Sequence, residues 1–302
     1  KKGLASDDFK HVLSTFSAIS YADSITTFEK ESLIEYIQKA KEFIEIEFDS
    51  IDFLIDLVEA ICILTLDGSE YKYQHRSFQE YFTAKFINNL TDEDQKEFLL
   101  TLLEEKSTTL TNVDEVLNML FEMNSIKIEK NLIIPLLEEL KNLIYHSDQK
   151  TSHFKYLNLM FETASIHSNE NLSIYGSGFR INNTRNLKYW NMVNFVCEKY
   201  QDKMNNIPQK LKHTEKDEEN KQKNYRKIYN KRIKTHPDYT NDENTITLEF
   251  SEAKIDNEIY IDILGIGEKD IKKLDISLIV LQNLKDKHKN RKSMKNLFSK
   301  NK

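Results

Sequence analysis

Six glycines and three prolines in 302 residues limit this chain more tightly than any other feature. Sandwiches and barrels need a turn signal about every 8–12 residues, and Gly and Pro supply most of them. Their scarcity points to long helices joined by short connections. It also leaves little from which to build a glycine-rich phosphate cradle, and the sequence contains neither G-x-G-x-x-G nor G-x-x-x-x-G-K-[ST]. At 39% hydrophobic and 30% charged residues the composition is that of a globular chain, long enough for two or three domains of roughly 100–150 residues each.

The apolar spacing predicts a helix over 6–22, with Ser6 as its cap and Phe9, Val12, Leu13, Phe16 and Ile19 on one face. Leu33, Ile37, Ala40 and Ile44 predict a second over 27–44, and Phe53, Leu54, Leu57, Val58 and Ile61 a third after Asp49 or Ser50. The period then changes from helical to alternating. Leu64 and Leu66, an Asp67-Gly68 turn, and Tyr71 and Tyr73 read as a β-hairpin. A fourth helix is expected from Ser77, burying Phe78, Phe82, Phe86 and Leu90. Three helices, a hairpin and a further helix form a winged-helix-like unit of about 90 residues.

Residues 71–87 read Tyr-Lys-Tyr-Gln-His-Arg-Ser-Phe-Gln-Glu-Tyr-Phe-Thr-Ala-Lys-Phe-Ile. An aromatic-rich strand, then His, then Phe-Gln-Glu-Tyr-Phe and small residues resembles the close of the winged-helix domain in NACHT-type STAND NTPases. That group includes animal NLR immune receptors and bacterial antiphage relatives. The resemblance covers residues 1–90 in layout, 92–165 loosely, and nothing specific beyond. It implies that His75 contacts the phosphates of bound ADP and holds a closed, inactive state, with Arg76 adding charge to the same site. A ring N–H donating to phosphate near the positive end of a helix is sound chemistry. Read from the residues alone, without the resemblance, His75 is expected to cap or pack at this corner. Phe78, Tyr81 and Phe82 are expected in the core, and Gln79 and Glu80 in local hydrogen bonds that fix the helix. The family's phosphate loop, Mg-binding acidic strand and sensor residues have no counterpart in these 302 residues. The chain, which begins Lys1-Lys2-Gly3, is therefore expected to be the C-terminal part of a longer protein and not to hydrolyse ATP by itself. ADP or ATP with Mg would belong to the parent protein and not to this chain alone.

Beyond residue 91 the reading is coarser. Residues 92–168 are expected to be helical, with Leu99 and Leu103, Val113 and Leu117, Leu136 and Leu140, and Phe154, Leu157 and Phe161 marking successive helices. Residues 169–302 read as a small α+β domain. Gly176 and Gly178 lie in a short strand or loop, and 189–200 is an aromatic-rich helix. Ile246, Leu248 and Phe250 form a strand, with Ile259, Ile261 and Ile263 as its partner. Gly265 and Gly267 make a tight turn, and 269–290 form a last helix with Ile271, Leu274, Leu278, Leu281 and Leu284 buried.

Charge is unevenly placed. Lys203–Lys234 holds 11 basic against 4 acidic residues and Gln282–Lys302 holds 8 against 1, while the first 202 residues carry a net −13. A general nucleic-acid binder would be basic over its main surface. Within the basic linker 202–243, Lys223, Tyr225, Arg226, Lys227, Tyr229, Lys231 and Arg232 offer cations and rings for a nucleic-acid strand, or else form a solvated helix. Asp238 followed by Glu252-Ala253-Lys254 matches a loose metal-nuclease spacing, but the acids fall where a hairpin connection is expected. His146, His153 and His167 share no helical face for a metal, and Cys62 and Cys197 make no disulfide or metal pattern, as expected for a reducing cytoplasm. No apolar run approaches the roughly 20 residues that span a bilayer.

The expected fold is thus mainly α: a winged-helix domain over 1–91, a helical region over 92–168 and a sensor-like α+β domain over 169–302. The expected function, as the resemblance implies it, is regulatory. The winged helix latches an upstream NACHT NTPase module in its ADP-bound form through His75. The C-terminal region meets a viral or host trigger, and release leads to a homo-oligomer. A helical scaffold or nucleic-acid adaptor is the alternative, and a metal-dependent nuclease the more remote one.

Overall fold

The structure is a computed structural model and describes residues 4–105, 115–168, 174–181, 186–200, 208, 215–235, 240–242, 245–254 and 256–298. The chain divides into two units, Lys1–Leu132 and Ile133–Lys302. The division falls inside the stretch expected as a helical region over 92–168.

The first unit begins with α1 (Ser6–Ala22), which Ser6 enters rather than caps. Ala5 holds the cap position without a side-chain bond, and Asp7 and Asp8 in the first turn offset the helix dipole instead. A two-residue strand β1 (Thr27–Phe28) precedes α2 (Lys30–Ile44). Glu45 ends α2 with φ 55°. Next comes α3 (Ser50–Ile55), capped by the Asp49 carboxylate, which accepts from the Ile51 and Asp52 amides at 2.9 and 3.1 Å. It runs on into a π-helical turn, Asp56–Ala60. Cys62, exposed and with φ 52°, leads into the hairpin β2 (Leu64–Asp67) and β3 (Glu70–Tyr73). Its two-residue connection puts Gly68 at φ 64°, a conformation that glycine adopts without a Cβ penalty.

The three strands form an antiparallel sheet in the order β1-β3-β2, with Thr27 opposite Lys72 and Leu64 opposite Tyr73. Phe28 and Tyr73 both reach the Phe16 ring of α1, at 5.6 and 6.1 Å between centroids. Leu33, Ile37, Leu57 and Leu64 close the same core. Each such side chain contributes roughly 1.5–3 kcal/mol by leaving water.

After the sheet come α4 (Arg76–Asn89), α5 (Asp92–Glu105), α6 (Val116–Ile128) and a second π turn, Glu129–Ile133. Lys127 donates to the carbonyls of Asn88 and Leu90 at 3.0 and 2.6 Å, placing a cation at the negative end of α4. Asp92 accepts from Lys130 and Asn131 at 2.6 and 2.9 Å, which ties the start of α5 to the second π turn and holds the Asp92 carboxyl below its ordinary range.

The second unit contains α7 (Ile134–Ile144), α8 (Gln149–Met160), β4 (Phe161–Ser168), β5 (Ile174–Ile181), α9 (Leu187–Tyr200), α10 (Glu215–Thr235), β6 (Thr240–Asp242), β7 (Thr245–Glu249), α11 (Phe250–Ala253), α12 (Asn257–Ile266) and α13 (Glu268–Phe298). Its antiparallel sheet has the order β5-β4-β7-β6. Met192, Val193 and Val196 of α9 are buried, as are Leu137 and Leu140 of α7 and Leu274 and Leu281 of α13. Phe154 of α8 meets Phe250 and Tyr260 at 5.6 and 4.8 Å. Cys197 is buried on α9.

Two elements differ from expectation here. Phe161 opens a strand and does not continue the helix marked by Phe154 and Leu157. Residues 257–266 form a helix, not a second strand. Ile259, Ile263 and Ile266 are buried at helical spacing, while Ile261 is 64% exposed. The Asp256 carboxylate caps the helix by accepting from the Glu258 and Ile259 amides. Gly265 therefore lies inside α12. A Cβ there would come within 3.0 Å of the Asn224 amide of α10, so this glycine serves close approach and not a turn.

Candidate functional site

His75 occupies the N-cap of α4, held between two buried anchors. On one side Tyr73 sends its hydroxyl to Ser17 Oγ at 3.1 Å, within α1. On the other, the Gln79 amide donates to Ser20 Oγ at 3.0 Å and to the Ile25 carbonyl at 2.8 Å. Burial pushes the Tyr73 phenol well above its ordinary pKa, so it remains a neutral donor. Gln79 is thus a long-range staple and not a local brace. Ser17, which receives Tyr73, and Ser20, which receives Gln79, are not marked by the apolar spacing of α1. The available signal is the density of small residues in α1, Ser14, Thr15, Ser17, Ala18 and Ser20, all buried, which allow α4 to approach closely.

The His75 ring is exposed, and its Nδ1 accepts from the Ser77 amide at 3.2 Å, with the Ser77 hydroxyl 2.7 Å from the same nitrogen. With Nδ1 accepting, the neutral ring carries its proton on Nε2, which is left as the outward donor. Capping and anion contact therefore use different nitrogens and are compatible. No acidic residue lies in the first turn of α4, so the helix dipole is not offset there by a carboxylate of its own first turn. Arg76 is engaged with its own helix: its Nε lies 3.0 Å from Oε1 of the buried Glu80.

The face of α4 turned inward is Gln79, Glu80, Thr83, Ala84 and Ile87. Phe78 and Tyr81, expected in the core, are 38% and 41% exposed, and Phe82 and Phe86 are half-buried. Phe82 packs against the core of the first unit, as expected, whereas the close α1–α4 packing accepts small and hydrogen-bonded side chains and leaves Phe78 and Tyr81 open.

The basic segment is placed differently from the stacking arrangement the sequence suggested. Tyr225 and Tyr229 of α10 are buried, and the Tyr225 hydroxyl donates to the Ile266 carbonyl at 3.3 Å. Arg232, 2% exposed, bonds Asp262 through Nε at 2.8 Å and lies 2.7 Å from it through a terminal nitrogen. Lys223 pairs with Glu219 at 2.6 Å and Lys231 with Glu258 at 3.0 Å. Arg226 and Lys227 are exposed. The tyrosines serve the core of the second unit, so in this arrangement no ring of α10 is offered to a base. Glu252 sits in the short helix α11 and Lys254 just after it, so neither occupies a strand position; Asp238 lies outside the described residues.

Among the described residues no group of three His, Cys, Asp or Glu side chains is placed to hold a metal ion. His153 instead pairs with Asp275 at 2.9 Å, and His167 bonds Thr245 at 3.0 Å. No described helix is long and apolar enough to cross a membrane. Comparison with protein-family models, with curated proteins and with solved structures gives no match to this chain.

Proposed function

We propose that this chain is the regulatory and sensor portion of a NACHT-type STAND NTPase acting in antiphage defence. Its first 91 residues form a winged helix that holds the ADP-bound off state through His75, and trigger recognition by the C-terminal region releases it. One observation carries the reading. The residue matching the family's phosphate-contacting histidine caps α4 through Nδ1, leaving its second nitrogen as a donor at the N-terminus of a helix whose first turn holds no acidic residue. The order α1-β1-α2-α3-β2-β3, with β3 central in its sheet, supports the winged-helix part. Arg76 plays a lesser part, since Glu80 already holds its charge. Release on trigger binding requires the trigger to favour the open form over the latched one.

The test is to express the parent protein with its upstream region, as wild type and as His75→Ala. We expect the variant to lose co-purifying ADP, to elute as a larger species and to be toxic to cells. A parent without bound nucleotide, unchanged by the substitution, removes this reading and returns the chain to the scaffold class.

A further inference from the structure

The outward face of α4 borders a groove of about 540 Å3 in the first unit, between α1, the end of α2 and α4 itself. Its apolar lining includes Phe43, Tyr81 and Phe86, and Phe43 is 62% exposed with its ring 5.8 Å from that of Phe86. Large rings left this open, side by side, mark an interaction surface more often than a stray surface residue. The rim carries Lys10 and Lys85, with Asp7 as its carboxylate. Asp7 meets Lys10 in a solvent-exposed pair at 3.3 Å, an interaction of little strength. The Lys85 ammonium lies over the Tyr81 ring, 5.8 Å from its centroid. The single carboxylate of α4, Glu80, is buried on the opposite face. In a region whose first 202 residues carry a net −13, this face presents aromatic rings and cations together. The α4 lining runs from Tyr81 to Asn89, about 12 Å of helix, which matches two turns of a partner helix anchored at i, i+4 and i+7.

We infer that this groove docks an acidic amphipathic helix of a partner protein, its aromatic or aliphatic anchors on Phe43, Tyr81 and Phe86 and its carboxylates against Lys85 and Lys10. The inference does not depend on His75, which is not part of the groove, so the two can fail separately.

The probes are two fluorescein-labelled 18-residue helical peptides with the same Leu and Phe anchors, one with Glu and one with Lys on the polar face. Anisotropy is measured with the full chain. The Glu peptide is expected to bind at least tenfold more tightly than the Lys peptide. Phe43→Ser with Tyr81→Ser, both at exposed positions, should weaken it at least tenfold, and Lys85→Glu should reverse the preference between the peptides. Circular dichroism confirms that the variants fold. Equal binding of both peptides, binding of neither, or indifference to Lys85→Glu overturns the inference. So does concentration-dependent self-association that Phe43→Ser abolishes, because the occupant is then a second copy of this chain.

Discussion

Gln79 and Thr83 lie one turn apart on the buried side of α4, and their polar atoms have opposite fates. The Gln79 amide has two acceptors in other elements, whereas the Thr83 hydroxyl is buried without a protein partner. Gln79→Leu leaves the Ile25 carbonyl without its donor and is expected to cost about 1–3 kcal/mol in urea denaturation. Thr83→Val removes an unmatched hydroxyl at constant shape and is expected to be neutral or slightly stabilising. Titration separates another residue. Burial, and then its 2.7 Å bond to Asp23, raise the Tyr36 phenol from about 10 to about 12. The folded state therefore holds this proton more firmly than the unfolded chain, and the associated stability is complete below about pH 10 and is lost as pH rises through about 12. The stability gap between wild type and Tyr36→Phe should narrow across that window. Tyr73, also raised by burial, leaves the variant with some alkaline sensitivity of its own.

At the level of elements, α4 shows how a helix can be recognised and its orientation misjudged. Its start, within a residue, and its length were legible from the His75-Arg76-Ser77 corner and the apolar spacing that follows. Its buried side was not. Transfer energies put Phe78, Phe82 and Phe86 inside; Phe82 does pack against the core, but the space beside α1 admits Ala84 and Thr83 and leaves Phe78 open. Phe78→Ala is accordingly expected to cost much less than Ile87→Ala, for which about 2–5 kcal/mol is typical of a buried site. A thermal melt of the two variants checks the order. Residues 257–266 failed for a different reason. Ile259, Ile261 and Ile263 satisfy a period of two, while Ile259, Ile263 and Ile266 satisfy a helix, and three isoleucines in five residues do not discriminate. The Asp256 cap decides it, and that signal was available. In α10, lysine density hid the spacing of Tyr225, Ile228, Tyr229 and Arg232, which are buried as one stripe. The Arg232–Asp262 pair joins residues 30 apart in sequence, and nothing local announces it.

Over the whole molecule, the mainly helical class followed directly from the shortage of glycine and proline. The division at Leu132 did not. It falls within the π turn Glu129–Ile133, in an unbroken polar and apolar texture with no linker composition to mark it. Separate cores have a measurable consequence. Leu33→Ala, at a fully buried site of the first unit, should speed amide exchange throughout α1–α4 and leave α9, α12 and α13 unchanged. Uniform acceleration across both units would show that they unfold together. The two thiols give a way to watch one unit by itself. Cys62 is open to solvent just ahead of β2, while Cys197 is enclosed by the helices of the second unit. A maleimide dye added to the folded, unsubstituted chain therefore marks a single position, and its signal reports on the first unit alone.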